Sequence, residues 1–387
     1  MRIKAIVVVI GIAILPPPAQ AQGGCGLPKA GTDQWPVAAP ESVGLTSATL
    51  CPMVEWLNAS KESNVHAVLV VRHGTLVFEQ YFSGSDEAWG RPIGNIAFGP
   101  EVRHDERSAT KSIIALLLGI AIDRGLIKGI DEPVLSFFPE YADLRTPEKD
   151  RITLGHLVTM SAGLEWHELD IPYTSAANSE IRMELSGDPY RYALEQPVAA
   201  QPGEIWNYNS GATELVGAVV KKAAGKPVDD FAREVLFEPL GITDVEWPKD
   251  AHGNVIAAGA LRLRPRDLAK IGQLVLQRGN WKGTQVVSAR WIDAATTPQI
   301  DGLSPYFYGY FFWLGRSLVD RREVQWSAAV GLGAQRVFIV PELDLVVVMN
   351  AGLYKSSAQA LVPIRALNQY VLKAAYPMHP AGARHTP

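Results

Sequence analysis

The chain has only two cysteines in 387 residues, Cys25 and Cys51. That scarcity excludes a disulfide-dense scaffold and any cysteine-rich metal module. Basic charge is not in excess either: 36 Lys and Arg against 40 Asp and Glu give a net charge of −4, so there is no electrostatic footprint for nucleic acid. No Gly-x-Ser-x-Gly occurs, which removes the nucleophile elbow of an α/β-hydrolase. No His-Glu-x-x-His occurs and the eight histidines are scattered, which disfavours a zinc hydrolase. Beyond the first residues no apolar run reaches membrane length. The longest, Ile113 to Ile122, is about ten residues between charged flanks and reads as a buried globular helix.

What is present begins with MRIKAIVVVIGIAILPPPAQAQ, in which Arg2 and Lys4 precede an apolar run from Ala5 to Leu15 and a small-residue exit at Ala19-Gln20-Ala21. It reads as a secretory signal peptide cleaved after Ala21, which makes the protein periplasmic or secreted. Loss of Arg2 and Lys4 takes the net charge from −4 to −6. The mature chain is rich enough in apolar residues to bury a large core as one elaborate domain or two lobes. In an exported protein, Cys25 and Cys51 read as a disulfide pinning the N-terminal arm, with free thiols as the alternative. A lipoprotein role for Cys25 is disfavoured, because Gln22-Gly23-Gly24 lacks an aliphatic residue before it.

Residues 22–40, rich in Gly, Pro and Ala, read as an irregular arm. Helical spacing runs from Thr46, with Leu50, Val54 and Leu57 on one face. Val65 to Val71 and Thr75 to Tyr81 are β-rich runs around Arg72-His73-Gly74, a hairpin signal. From Ser108 to about Leu276 the pattern is mostly helical, with helices read from Ile152, Thr213, Val228 and Arg264. Strands return from Ala334 and Leu343, and a last helix runs from about Ser357 to Ala375. The expected architecture is α/β (α+β): an antiparallel sheet assembled from both chain ends (about 41–105 and 300–376), flanked by helices, with a mostly helical inserted lobe (about 106–299). A short tail (377–387) follows, and a cleft between the lobes is where a ligand would bind.

The apolar helix is preceded by RSATKS, Arg107 to Ser112. Ser108 and Lys111 are three apart, so on a helix they share a face. A serine hydroxyl needs a base to become a nucleophile, and a desolvated lysine can serve. The helix N-terminus adds N–H groups suited to an oxyanion. The bland alternative, an N-cap serine and a solvated lysine, puts a cation where the helix dipole favours acids. A second feature is QPGEIWNYNSG, Gln201 to Gly211, which places Tyr208-Asn209-Ser210 on a loop at a helix mouth. There Tyr208 could act as a phenolate or proton relay beside the lysine, or simply pack the loop.

Taken together, SATK and the Tyr208 loop resemble the motifs of the serine β-lactamase and penicillin-binding-protein superfamily, particularly its class C branch with its esterases and peptidases. ITLGHLVTMSAGLEW, GALRLRPRDLAKIGQL and VFIVPELDLVVVMN resemble connecting segments of that branch, so the similarity runs from about Ser42 to Tyr370. The resemblance implies a β-lactamase/transpeptidase-like fold without a cofactor. It also implies Ser108 as the acylated nucleophile, Lys111 as its base, Tyr208 as partner in acid/base transfer, and the Ser108 N–H as half of an oxyanion hole. His156, within ITLGH, reads as structural.

Two departures bear on substrate. Ser210 stands where β-lactamases have an asparagine amide, as a candidate substrate contact. The late-strand Lys/His-x-Gly is replaced, in the best placement, by Ala329-Val330-Gly331. Gly331 and Val330 can still offer strand backbone to an oxyanion, but the cation that clamps a substrate carboxylate is gone. That loss is worth about 1.5–3 kcal/mol. The expected function is therefore hydrolysis of small esters or linear amides, as in esterases and 6-aminohexanoate-dimer hydrolases. One alternative is a β-lactamase or D,D-peptidase using another cation such as Arg336, and another is a penicillin-recognising binding or sensor module without turnover. The aromatic run PYFYGYFFW, Pro305 to Trp313, reads either as an acyl pocket or as core.

Overall fold

The structure is a computed structural model, and it describes residues 25–376 apart from Gln34, Lys61 and Glu62. The leader and the tail from 377 fall outside the described residues. Cys25 and Cys51 form a disulfide. The helix expected from Thr46 is broken in two at the Cys51-Pro52 step, as Ser47–Leu50 and Pro52–Ala59, because proline cannot continue a helical hydrogen-bond ladder.

In chain order the strands are β1 (Val65–Arg72), β2 (Thr75–Tyr81), β3 (Ser83–Ala88), β4 (Arg91–Ala97), β5 (His104–Asp105), β6 (Arg262–Leu263), β7 (Asn280–Trp281) and β8 (Thr284–Gln285). They continue as β9 (Ile300–Asp301), β10 (Phe307–Tyr308), β11 (Trp313–Val319), β12 (Arg322–Gly331), β13 (Gln335–Val340) and β14 (Leu345–Ala351). Eight of them form one antiparallel sheet in the order β2-β1-β14-β13-β12-β11-β10-β9. The two ends of the chain meet where β1 pairs with β14, as Val68 opposite Met349 and Val70 opposite Val347. The β1–β2 hairpin turns through His73 and Gly74, both at positive φ.

Side chains alternate across this sheet as the strand period requires. Ala67, Leu69 and Val71 of β1, with Val346 and Val348 of β14, face the core shared with the inserted helices. Val68 and Val70, with Val347 and Met349, face a second core under the N-terminal helices and the C-terminal helical segment. Burial on both faces explains why β1 and β14 read as almost continuous apolar runs.

Three helices of the insertion pack against one another or against the sheet. The helix Thr110–Asp123 is buried at every residue from Thr110 to Ala121, as an apolar surface all round demands. Beside it lies Ser210–Ala224, capped by the Asn209 side chain at one end and closed by Gly225 in the left-handed region at the other. The third, Pro265–Leu276, starts with proline at its first turn and packs on the sheet through Gly272 against Val337 and Val346.

One further expectation is corrected and one element is added. The helix read from Ile152 is only Leu154–Val158, since Met160 turns to positive φ and its carbonyl accepts the Asn207 N–H at 2.7 Å, joining this segment to the Tyr208 loop. The hairpin of β11 and β12 was not anticipated; a run such as REVQWSAAVG carries polar residues and small alanines where strands usually show branched side chains.

Candidate active site

Ser108 does not begin the helix but sits on a short 3₁₀ turn, Arg107–Ala109, that feeds into it at Thr110. Arg107, just before it, has φ of 48°, unusual for a residue with a side chain. Asp105 holds this turn: its Oδ1 accepts the Arg107 N–H at 3.1 Å and its Oδ2 lies 3.1 Å from the Arg107 Nε. The same Oδ2 accepts the Trp89 N–H at 2.8 Å. The Arg107 guanidinium in turn covers the Tyr354 ring.

Lys111 follows one turn later and is buried. Its Nζ lies 3.2 Å from the Ser108 Oγ and donates to the Ala258 carbonyl at 2.6 Å. That carbonyl fixes the amine, and the buried Glu214 holds the same residue from its other side by accepting the Ala258 N–H at 2.8 Å. Burial pushes the Glu214 carboxyl up to about 7, against the pull of its backbone N–H donors and of Lys111.

Tyr208 completes the triangle, its ring 5.1 Å from the Lys111 Nζ. Burial pushes its phenol well above the ordinary value, with the Glu168 carboxylate adding to the rise and the Ser108 side chain working against it. That direction favours the protonated phenol over a resting phenolate. Its loop is anchored by Glu168, a buried carboxylate that receives four donors. The Trp166 Nε1 and the Ser210 N–H donate to Oε2 at 2.7 and 2.8 Å; the Ser210 hydroxyl and the Tyr173 hydroxyl donate to Oε1 at 2.8 and 3.0 Å. Ser210 is the first residue of its helix, so the carboxylate also meets the positive end of the helix dipole. Ser210, expected as a substrate contact, is fully buried and turned to Glu168 instead.

The late strand closes the opposite wall. A Cβ on Gly331 would collide with the Glu106 carbonyl oxygen and come within 3.2 Å of the Ala109 nitrogen, so glycine is what lets β12 lie against the Ser108 turn. Ala329 faces the helical side of the sheet and is apolar where the resemblance implied a cation. Val330 is half-buried and pairs with Arg336. The Arg336 guanidinium donates to the Gly331 and Gln335 carbonyls at 2.9 and 2.8 Å, and burial lowers its ordinary value to about 10, leaving it cationic at neutral pH.

Most of the aromatic run is core. Tyr308, Phe311 and Phe312 are core, whereas half-buried Trp313, with Trp206, stands beside Tyr208 at ring separations of 6.1 and 6.2 Å. His156 caps its own helix in a reciprocal box with Thr153, in keeping with its structural reading. One further group could hold a metal: His66, Asp86 and His104, all buried. Sequence reasoning missed Glu168, Glu214, Ala258 and this histidine pair. Ala258 acts through its carbonyl and leaves no side-chain signal, and the others are brought together only by the fold.

Comparison with known proteins identifies the family and the fold. A family model described as "Beta-lactamase" matches residues 57–366. Esterase EstB of Burkholderia gladioli is 27% identical over 46% of this chain and 45% of its own length. The 6-aminohexanoate-dimer hydrolase of Paenarthrobacter ureafaciens is 25% identical over 60% of this chain and 57% of its own. The chain thus spans about half the length of these curated relatives. Among solved structures, a penicillin-binding-protein homologue from Caulobacter crescentus shares the fold with a TM-score of 0.66 at 18% identity, over 88% of this chain and 98% of that one.

Proposed function

The chain belongs to the Beta-lactamase family, and on that premise we propose that it is an exported serine hydrolase of small esters or linear amides that works through an acyl-enzyme on Ser108. The observation that carries the reading is the pairing of two features: a half-buried Ser108 set against buried Lys111 and Tyr208, and a strand wall with no cation at Ala329. Lys111 takes the Ser108 Oγ proton as the oxygen attacks the substrate carbonyl carbon. The new C–O bond makes a tetrahedral oxyanion, met by the Ser108 N–H and by backbone of β12 next to Gly331. Collapse breaks the bond to the alkoxide or amine, which leaves with a proton relayed through the Tyr208 phenol. Water then attacks the acyl-enzyme and restores Ser108. Trp206 and Trp313 would offer the acyl group an apolar, aromatic face.

Similarity to an esterase and to an amide hydrolase supports this substrate class. Export is supported by the leader, and N-terminal sequencing of the mature protein from the periplasm or medium should begin after Ala21. The chemistry is tested by intact-mass analysis after a fluorophosphonate: one adduct is expected, on the peptide containing Ser108 and absent in Ser108→Ala. An adduct on another serine would reject the assignment. Labelling without turnover of any ester would instead favour the binding or sensor module.

A second reading, a β-lactamase or D,D-peptidase, draws on Arg336, a cation bonded to the Gly331 carbonyl at the strand wall. Fast cephalosporin hydrolysis that is lost in Arg336→Ala would promote it.

A further inference from the structure

Directly behind the nucleophile turn, three strands bring two histidines and an aspartate to one buried point. His66 lies on β1, Asp86 on β3 and His104 on β5, four residues ahead of Ser108. All three are at most 3% exposed. The His66 Nδ1 and the His104 Nε2 are 2.8 Å apart, and the Asp86 Oδ1 lies 3.9 and 3.6 Å from them. A sphere centred among these atoms touches all three at about 2 Å, the length of a bond from zinc to imidazole nitrogen or carboxylate oxygen.

The hydrogen bonds around the rings decide what the facing nitrogens carry. The Asn64 Nδ2 donates to the Ser85 and Gly352 carbonyls at 2.9 and 3.0 Å, which fixes the amide and turns its Oδ1 to the His66 Nε2 at 3.3 Å. The His66 Nε2 is thereby placed to donate to that oxygen, the tautomer that leaves Nδ1 free to bind a metal. The His104 Nδ1 faces the Asp105 carbonyl at 3.2 Å and holds its proton there. In these tautomers two lone pairs point at each other beside a carboxylate, an arrangement that neutral imidazoles cannot satisfy between themselves and that a shared cation would. Outer nitrogens donating to a carbonyl or amide oxygen are the usual second shell of metal-bound histidines. The other aspartate oxygen, Oδ2, is buried without a partner, while the Tyr354 hydroxyl donates to Oδ1 at 2.8 Å. The strand register slips at two of the three positions, between Val65 and Ala67 and between Asp86 and Glu87, as bulges do when they re-aim a side chain.

We propose that His66, Asp86 and His104 form a structural site for a divalent transition metal, zinc being the ion this ligand set suits best. The site clamps the main sheet and the β3–β4 hairpin to the segment that carries Ser108. The metal is not part of the reaction proposed above, so the site stands or falls separately from it.

Full-length protein purified without chelators should carry about one equivalent of transition metal by plasma mass spectrometry. After chelator treatment, titration with Co²⁺ should give visible d–d absorption saturating at about one equivalent, with a rise in Tm. Asp86→Asn should lose both signals, and His104→Gln likewise. Metal below roughly a tenth of an equivalent together with no Co²⁺ spectrum would overturn the site and leave a pair of imidazoles sharing a proton. Unchanged metal content in Asp86→Asn would overturn it too, by putting the ion elsewhere. If the variants do not fold, the Co²⁺ titration of the wild-type chain decides alone.

Discussion

The two walls of the Ser108 site are built on opposite principles. On the helical wall every reactive group has a named polar partner: Ser108 has Lys111, Lys111 has the Ala258 carbonyl, and the Tyr208 loop has Glu168. On the strand wall, Ala329, Val330 and Gly331 offer only backbone and apolar surface. Groups that make and break bonds must be held to a fraction of an ångström, and the first wall does that. A cation that grips a substrate carboxylate adds affinity without making the nucleophile, and the second wall has none at Ala329. On the proposed reading, such a scaffold keeps its reaction and changes its clientele by altering one strand.

The largest test of the contrast is removal of the base. Lys111→Ala is expected to lower ester turnover by about 10⁴-fold, measured as kcat/KM, with the fold retained by circular dichroism. Next is Tyr208→Phe, which keeps the packing and deletes the proton: a loss of about 10²–10⁴-fold is expected, smaller for a p-nitrophenyl ester, whose leaving group needs little protonation, than for an alkyl ester. If the two esters lost equally, the relay role of Tyr208 would be wrong.

Ala329→Lys sharpens the comparison from the other side. Placing a cation on the strand wall should tighten binding of a carboxylate-bearing β-lactam by about one to two decades and leave neutral esters nearly unaffected, read as inhibition constants against ester hydrolysis. The smallest effect concerns stability and pH. The Glu214 carboxyl rises in the folded protein from 4.5 to about 7, so the folded state binds more protons than the unfolded one between those values. Its contribution to stability is fully present below the lower value and is lost as pH climbs to the upper one. Glu214→Gln should accordingly flatten the decline of Tm between about pH 5 and pH 7.5 relative to wild type. An identical slope would remove Glu214 from that role.

How much of this could be read in advance differs between the same two walls. Ser108, Lys111 and Tyr208 lie in short motifs with local spacing, and the fold followed from strands at both chain ends with helices between. Glu168 is 40 residues from Tyr208 in sequence and marked by no periodicity, so its four-donor anchor appears only when the loops meet. Ser210 was misread because its helix N-terminus turns the hydroxyl inward to that carboxylate. The eight histidines looked scattered for the same reason: His66 and His104 are 38 residues apart and meet through a bulge that no hydropathy pattern encodes.

The central claim, that the reaction is kept and the carboxylate clamp is lost, is tested most directly by paired initial rates of the mature protein on p-nitrophenyl butyrate and nitrocefin, with Ser108→Ala as control. Ester turnover that depends on Ser108, with little or no nitrocefin hydrolysis, is the expected result. Rapid nitrocefin hydrolysis would contradict it and give first place to the β-lactamase reading.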